Sequence, residues 1–188
     1  MIAIVLNGGS SHRFGSDKCS YVFRSKPMIE NVVERLRLVF DRVVLVGRTY
    51  GDFECIEDEL CRGPVGGVMI ALQRLKDDVF AVGCDMPLLQ PHVISFMWEV
   101  FRSGDSDAVV ARFCDGIHPL HAFYSVRMME HFRWSIEQGD GSFRSALERA
   151  KVVWLSEKHL SHLPNWHESF FNVNVPSDLN RIGVEECC

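Results

Sequence analysis

The chain has 188 residues, 47% hydrophobic and 24% charged, which suits one compact domain spanning 1–188 and excludes a disordered tail. A formal net charge of -5 and a pI near 5.9 argue against a nucleic-acid backbone as main partner, because such binders need a basic face for counterion release. No apolar stretch approaches the roughly 18 residues of a membrane span, and Met1 leads straight into a strand-like run, so the expectation is a soluble, cytoplasmic protein without a membrane partner.

In chain order, residues 2–6 (IAIVL) are rich in branched apolar side chains and lack the alternation of a half-exposed strand, which predicts a strand covered on both faces. In PMIENVVERLRLVF, Met28, Val32, Leu36 and Val39 recur at helical spacing, and Pro27 stands where a first helical turn accepts proline. A second strand at 42–46 (RVVLV) precedes a helix at 64–76 built on Val65, Val68, Leu72 and Leu75. A third strand at 79–84 (VFAVGC) precedes a helix at 91–102 built on Ile94, Met97 and Phe101, and strands follow at 107–112 and 152–155. Residues 113–150 are less regular and read as holding an inserted substrate-binding element. The aromatics of MWEVF and HFRW fall at helical spacing and read as core or interface.

Strands alternating with helices predict right-handed crossovers and an α/β, doubly wound, three-layer Rossmann-like fold with a mostly parallel sheet. Ligands of such sheets bind at the carboxyl ends of the strands, where the strand order reverses. That directs attention to Asn7–Lys18, Asp58, Asp85–Pro87 and the segment around His118. The seven cysteines (Cys19, Cys55, Cys61, Cys84, Cys114, Cys187 and Cys188) are odd in number and show no CxxC spacing, so they read as reduced thiols.

After the first strand, Gly8 and Gly9 let the backbone turn with unhindered N–H groups, and Arg13 and Lys18 add two cations; the natural guest is a polyphosphate. The stretch is neither a GxxxxGK[ST] loop nor GxGxxG, and a plain glycine turn with solvated charges is the competing reading. Asp85 ends the most apolar strand, two residues before Pro87, where a carboxylate is unfavourable unless paired. A hard divalent cation bridging Asp85 and substrate phosphates is one partner; capping the following helix is the other reading. Together the two loops predict a nucleotide-phosphate site with a metal, and hence nucleotidyl transfer. A phosphate nucleophile is already anionic at neutral pH, so positioning and charge neutralisation suffice without a catalytic Ser, His or Cys. His118 and His121 in IHPLHAFY lack a nearby third ligand, which favours an acceptor-side role over a metal one.

LNGGSSHRFGSDK, with Leu6, Gly8, Gly9, Ser11, Arg13, Gly15, Asp17 and Lys18, resembles the LAGGxSxRMGxDK signature of molybdenum cofactor guanylyltransferases, the MobA family of nucleotidyltransferases. KPMIENV resembles the family's KPLxxxV, and IEDELCRGPVGGVMIAL its acidic residue followed by GPLAGxxxAL. CDMPLL resembles CDxPFL, and FFNVNVPSDL resembles FxNxNTPEDL, so the likeness spans residues 2–179. It implies GTP and Mg2+ as ligands. The phosphate of molybdopterin would attack the α-phosphate of GTP, giving the molybdopterin guanine dinucleotide cofactor and pyrophosphate.

By the same resemblance, Leu6, Asn7, Gly8 and Gly9 would meet the nucleotide through the loop, and Arg13 and Lys18 would hold the triphosphate and stabilise the transition state. Asp58 would bind the nucleoside end, Asp85 would hold Mg2+, and Asn172 and Asn174 would serve the acceptor side or a second metal contact. Implied partners are molybdenum cofactor delivery proteins and acceptor enzymes. Asn7 stands where the family has alanine, Phe14 where it has methionine, and Gly66 and Gly67 where it has alanine and glycine. A side chain at position 7 would press on the bound base or hydrogen-bond to it. The rivals are CTP on molybdopterin, GTP on adenosylcobinamide phosphate, and a non-catalytic nucleotide-binding subunit, against which the survival of Arg13, Lys18 and Asp85 argues.

Overall fold

In the computed structural model, which describes residues 1–8, 18–60, 62–174 and 178, strand β1 (Ile2–Asn7) runs through the middle of a seven-stranded sheet. The other strands are β2 (Val22–Phe23), β3 (Lys26–Pro27), β4 (Arg42–Gly47), β5 (Cys55–Ile56), β6 (Val79–Gly83), β7 (Ala108–Phe113), β8 (Gly116–Tyr124) and β9 (Val152–Leu155). The large sheet has the order β5-β4-β1-β6-β8-β7-β9, while β2 and β3 form a separate small hairpin. β1 is flanked by β4 and β6, both parallel to it, with Leu6 opposite Val46 on one side and Gly83 on the other. The chain therefore leaves β1 toward β4 and returns across it to β6. This reversal opens a crevice at the carboxyl ends of β1 and β6.

Helices α1 (Met28–Leu36) and α3 (Pro91–Ser103), with the short α6 (Glu157–Leu160), cover one face. Helices α2 (Gly63–Leu75), α4 (Met128–Glu137) and α5 (Phe143–Glu148) cover the other. Strand side chains alternate between the two cores: Ala3, Val5, Phe80 and Val82 face the first, and Ile2, Ile4, Val79 and Ala81 the second. That is why the central strands read as continuous apolar runs; β6 is buried at every residue. The three layers and the mostly parallel sheet agree with the sequence expectation.

Residues 113–150 depart from it. Instead of an irregular insertion they hold β8, α4 and α5, all elements of the main framework. β8 is antiparallel to both β6 and β7, and its register with β7 shifts between Val110 and Ala111, opposite the stretch that contains Pro119. A proline cannot donate to the ladder, so the irregularity falls where it is tolerated. Among the described residues no helix is long and apolar enough to cross a membrane.

Candidate active site

The crevice between β1 and β6 brings together Lys18 and Asp85, two of the charged residues that the sequence singled out. Lys18 opens a one-turn 3-10 helix (Lys18–Ser20), and its Nζ lies 2.7 Å from Oδ2 of Asp85, which follows β6 by two residues. The same ammonium donates to Oδ1 of Asn174 at 3.4 Å, across 156 positions of sequence. The Lys18 and Asp85 side chains are 16% and 26% exposed, so the ion pair is sheltered but open on one side.

The loop carrying Asp85 is tied down from several directions. Cys84 N–H donates to the Leu6 carbonyl at 3.2 Å, extending the β1–β6 ladder, and the Asp85 carbonyl accepts the Val173 N–H at 2.9 Å. Arg35 of α1 donates to the Leu89 carbonyl, and Ser169 accepts the Gln90 N–H. Phe23, Met28, Leu88 and Val173 pack together, joining the small hairpin, α1, this loop and the C-terminal segment. Gly83 completes the arrangement, because a Cβ at this position would collide with Oδ1 of Asp85. The missing side chain is the cradle in which the carboxylate lies, and the sequence reading passed over it.

A second group lies at the adjoining strand ends. Gly67 of α2 packs so closely on β1 that a Cβ would come within 2.6 Å of Leu6 Cδ2 and 4.0 Å of Asp58 Oδ2. Leu6 and Asp58 thus flank one bare stretch of helix, and Asp58 is shaped by its Oδ1 accepting the Leu60 N–H at 3.2 Å. Gly47 approaches the Asn7–Gly8 backbone at φ +120°, where a Cβ would lie 3.0 Å from main-chain atoms, so only glycine fits.

Asn7 has a different task from the one its position suggested. Its side chain is buried and donates to the Arg48 carbonyl at 2.9 Å, while its own carbonyl accepts the Arg48 N–H at 3.2 Å. It fastens the end of β4 to the end of β1 rather than reaching toward a base. Gly9 and Arg13, with Ser11, Phe14, Gly15 and Asp17 of the same motif, lie outside the described residues.

One of the two singled-out histidines also differs from expectation. His121 is fully buried, bonded through Nε2 to Ser169 Oγ at 2.8 Å and packed against Phe80 and Phe170. Burial pushes its pKa down to about 3, so it is a neutral core residue. His118 pairs with Asp115 at 3.1 Å. Among the described residues no three His, Cys, Asp or Glu side chains converge as a ligand set.

One cysteine expectation is overturned. Cys19 and Cys84 form a disulfide with Cα atoms 5.5 Å apart, whereas Cys55 and Cys114 are free thiols. Cys61, Cys187 and Cys188 fall outside the described residues. The pairing was hidden because 65 positions separate the partners, and only the neighbouring placement of β1 and β6 brings them together.

With this geometry in view, the model of the MobA-like NTP transferase domain matches residues 3–154. The chain belongs to the MobA-like NTP transferase family. It is 35% identical to a probable molybdenum cofactor guanylyltransferase of Thermococcus kodakarensis over 97% of this chain and 94% of that protein. It is 37% identical to one of Pyrococcus horikoshii, over 97% and 98%. A crystal structure of molybdopterin-guanine dinucleotide biosynthesis protein A from Archaeoglobus fulgidus superposes with a TM-score of 0.87 at 28% identity, covering 98% of this chain and 100% of that one. As a MobA-like protein the chain is a nucleotidyltransferase, and Lys18, Asp85 and Asn174 of the quoted motifs meet in its crevice.

Proposed function

We propose that the chain, acting as one domain over 1–188, transfers GMP from GTP to the terminal phosphate of molybdopterin, releasing pyrophosphate. The observation that carries this reading is the meeting of Lys18, Asp85 and Asn174 at the carboxyl ends of β1 and β6, where an anionic substrate would encounter both a cation and metal-binding oxygens. The guanylyltransferase names of the full-length relatives support GTP and molybdopterin as the substrates. We place the protein in the cytoplasm, exchanging cofactor with molybdenum cofactor delivery proteins and acceptor enzymes.

The residues fit a magnesium ion of the kind that takes one or two protein carboxylates and completes its shell with water and phosphate oxygens. Asp85, seated on Gly83, would hold it, with Asn174 as a second oxygen. When bound, the ion neutralises phosphate charge and so favours departure of pyrophosphate. Lys18 turns from Asp85 to the triphosphate as substrate enters, so the pair seen here is the resting arrangement of both groups. Arg13 joins Lys18 on the phosphates. Leu6 and the glycine loop meet the nucleoside, and Asp58, beside the bare face of α2 at Gly67, accepts hydrogen bonds from the base or sugar. The incoming phosphate of molybdopterin is already a nucleophile, and the protein's contribution is alignment and charge.

The test is the binding of a fluorescent GTP analogue with and without Mg2+ to the wild type and to Asp85→Asn. Magnesium should tighten binding to the wild type by at least about tenfold and leave Asp85→Asn nearly unaffected. Equal magnesium dependence in the two proteins would remove Asp85 from the metal site.

A further inference from the structure

We propose that the Cys19–Cys84 disulfide is a positioning element of the nucleotide site, holding the backbones of Lys18 and Asp85 in the places from which both side chains reach the substrate. The inference rests on the reading of these two residues as the phosphate- and metal-handling pair. Cys19 directly follows Lys18, and Cys84 directly precedes Asp85. The bond therefore joins the two loops one residue away from the charges that must act together. Its Cα atoms are 5.5 Å apart, and Lys18 Nζ and Asp85 Oδ2 are 2.7 Å apart.

Both cysteines are 7% exposed and belong to the core that also holds Ile29, Met86 and Leu89. The link is thus more deeply buried than the side chains of the pair beside it. Main-chain bonds with Leu6 and Val173 grip residues 84 and 85, while at the other end the Lys18 carbonyl accepts the Tyr21 N–H at 3.3 Å and the Tyr21 carbonyl accepts the Met28 N–H of α1 at 2.8 Å. The disulfide joins these two ends covalently, directly beside the lysine and the carboxylate.

The demand for such rigidity follows from the chemistry. Without a general base, turnover depends on alignment of phosphates, cation and carboxylate, and a displacement of about 1 Å at such a site can lower the rate by roughly a hundredfold. Opening the link requires a dithiol reductant: its thiolate attacks one sulfur, the S–S bond breaks, and two electrons and two protons pass to the cysteine pair as the reductant closes its own disulfide. Two free thiols remain, and Lys18 keeps only non-covalent ties to the Asp85 loop.

Three measurements test the proposal on the full chain. Tryptic digestion of alkylated, unreduced protein should yield the Cys19–Arg24 peptide joined to the Asp77–Arg102 peptide; finding both only as separate alkylated peptides would overturn it. Cys19→Ser/Cys84→Ser and dithiothreitol-treated wild type, held where circular dichroism reports a folded protein, should lose at least about tenfold in kcat, with KM for GTP rising as well because Lys18 and Asp85 also hold the triphosphate and its metal. Acylation of Lys18 by an N-hydroxysuccinimide acetate should be severalfold faster in both. A purely structural staple would lower the melting temperature and leave kcat and Lys18 acylation unchanged, which would overturn the proposal. If the double variant does not fold, the reduced wild type and Cys19→Ala decide. If the intact wild type transfers no GMP, the functional reading fails on its own, and the acylation rates still decide whether the disulfide positions Lys18.

Discussion

At the scale of single residues, the site depends as much on what is absent as on what is charged. Gly83 gives the Asp85 carboxylate room to lie against the end of β6. Gly83→Ala should keep the fold, because β6 already carries a buried alanine at Ala81, but it should swing the carboxylate away from Lys18. We expect a loss of roughly ten- to a hundredfold in turnover with the melting temperature nearly unchanged, read by pyrophosphate release beside circular dichroism. Lys18 and Asp85 were legible in the sequence because a cation and a carboxylate beyond strand ends announce their chemistry, whereas Asn174 stood out only through the resemblance of FFNVNVPSDL to a family motif. Gly83 was not, since an aliphatic run ending in glycine looks the same whether or not a carboxylate folds over it. Asn7 was legible as a departure but not in its consequence, which depends on where β4 ends and the Arg48 carbonyl points.

Among the elements, β8 shows what periodicity misses. Its antiparallel course between β6 and β7 is announced only by Asp115 and Gly116, with Gly116 at φ +133°, and by an apolar tail interrupted by Pro119. Long-range pairing settles such a strand, whereas the parallel strands are declared by unbroken Val and Ile runs. β8 also brings His121 opposite Val82, three positions before Asp85. Because burial lowers the pKa of His121 from 6.5 to about 3, the unfolded chain binds more protons than the folded one between these values. Stability from this group is therefore present above pH 6.5 and is lost as the pH falls toward 3. Between pH 7 and pH 5 the loss should be about 2 kcal/mol. Urea denaturation at the two pH values measures it, and His121→Asn should flatten that part of the dependence; an unchanged slope would show that His121 does not carry it.

For the molecule as a whole, a net charge of -5 leaves the proposed anionic substrate to be met locally, and Lys18 in the crevice is the described cation placed to do so. The layered α/β class was readable from alternation alone, and motifs spread from residue 6 to residue 179 pointed to one site. The sheet's strand order supplied what the sequence lacked: it sets β1 beside β6 and leaves Lys18 paired with Asp85. Guanine selectivity and the molybdopterin acceptor form the central claim. The most direct measurement supplies the purified chain with Mg2+, molybdopterin and, in turn, GTP, CTP or ATP, following pyrophosphate and the mass of the dinucleotide product. The account predicts molybdopterin guanine dinucleotide, with GTP preferred by at least about tenfold; preferential formation of the cytosine dinucleotide, or no dinucleotide from any nucleotide, would contradict it.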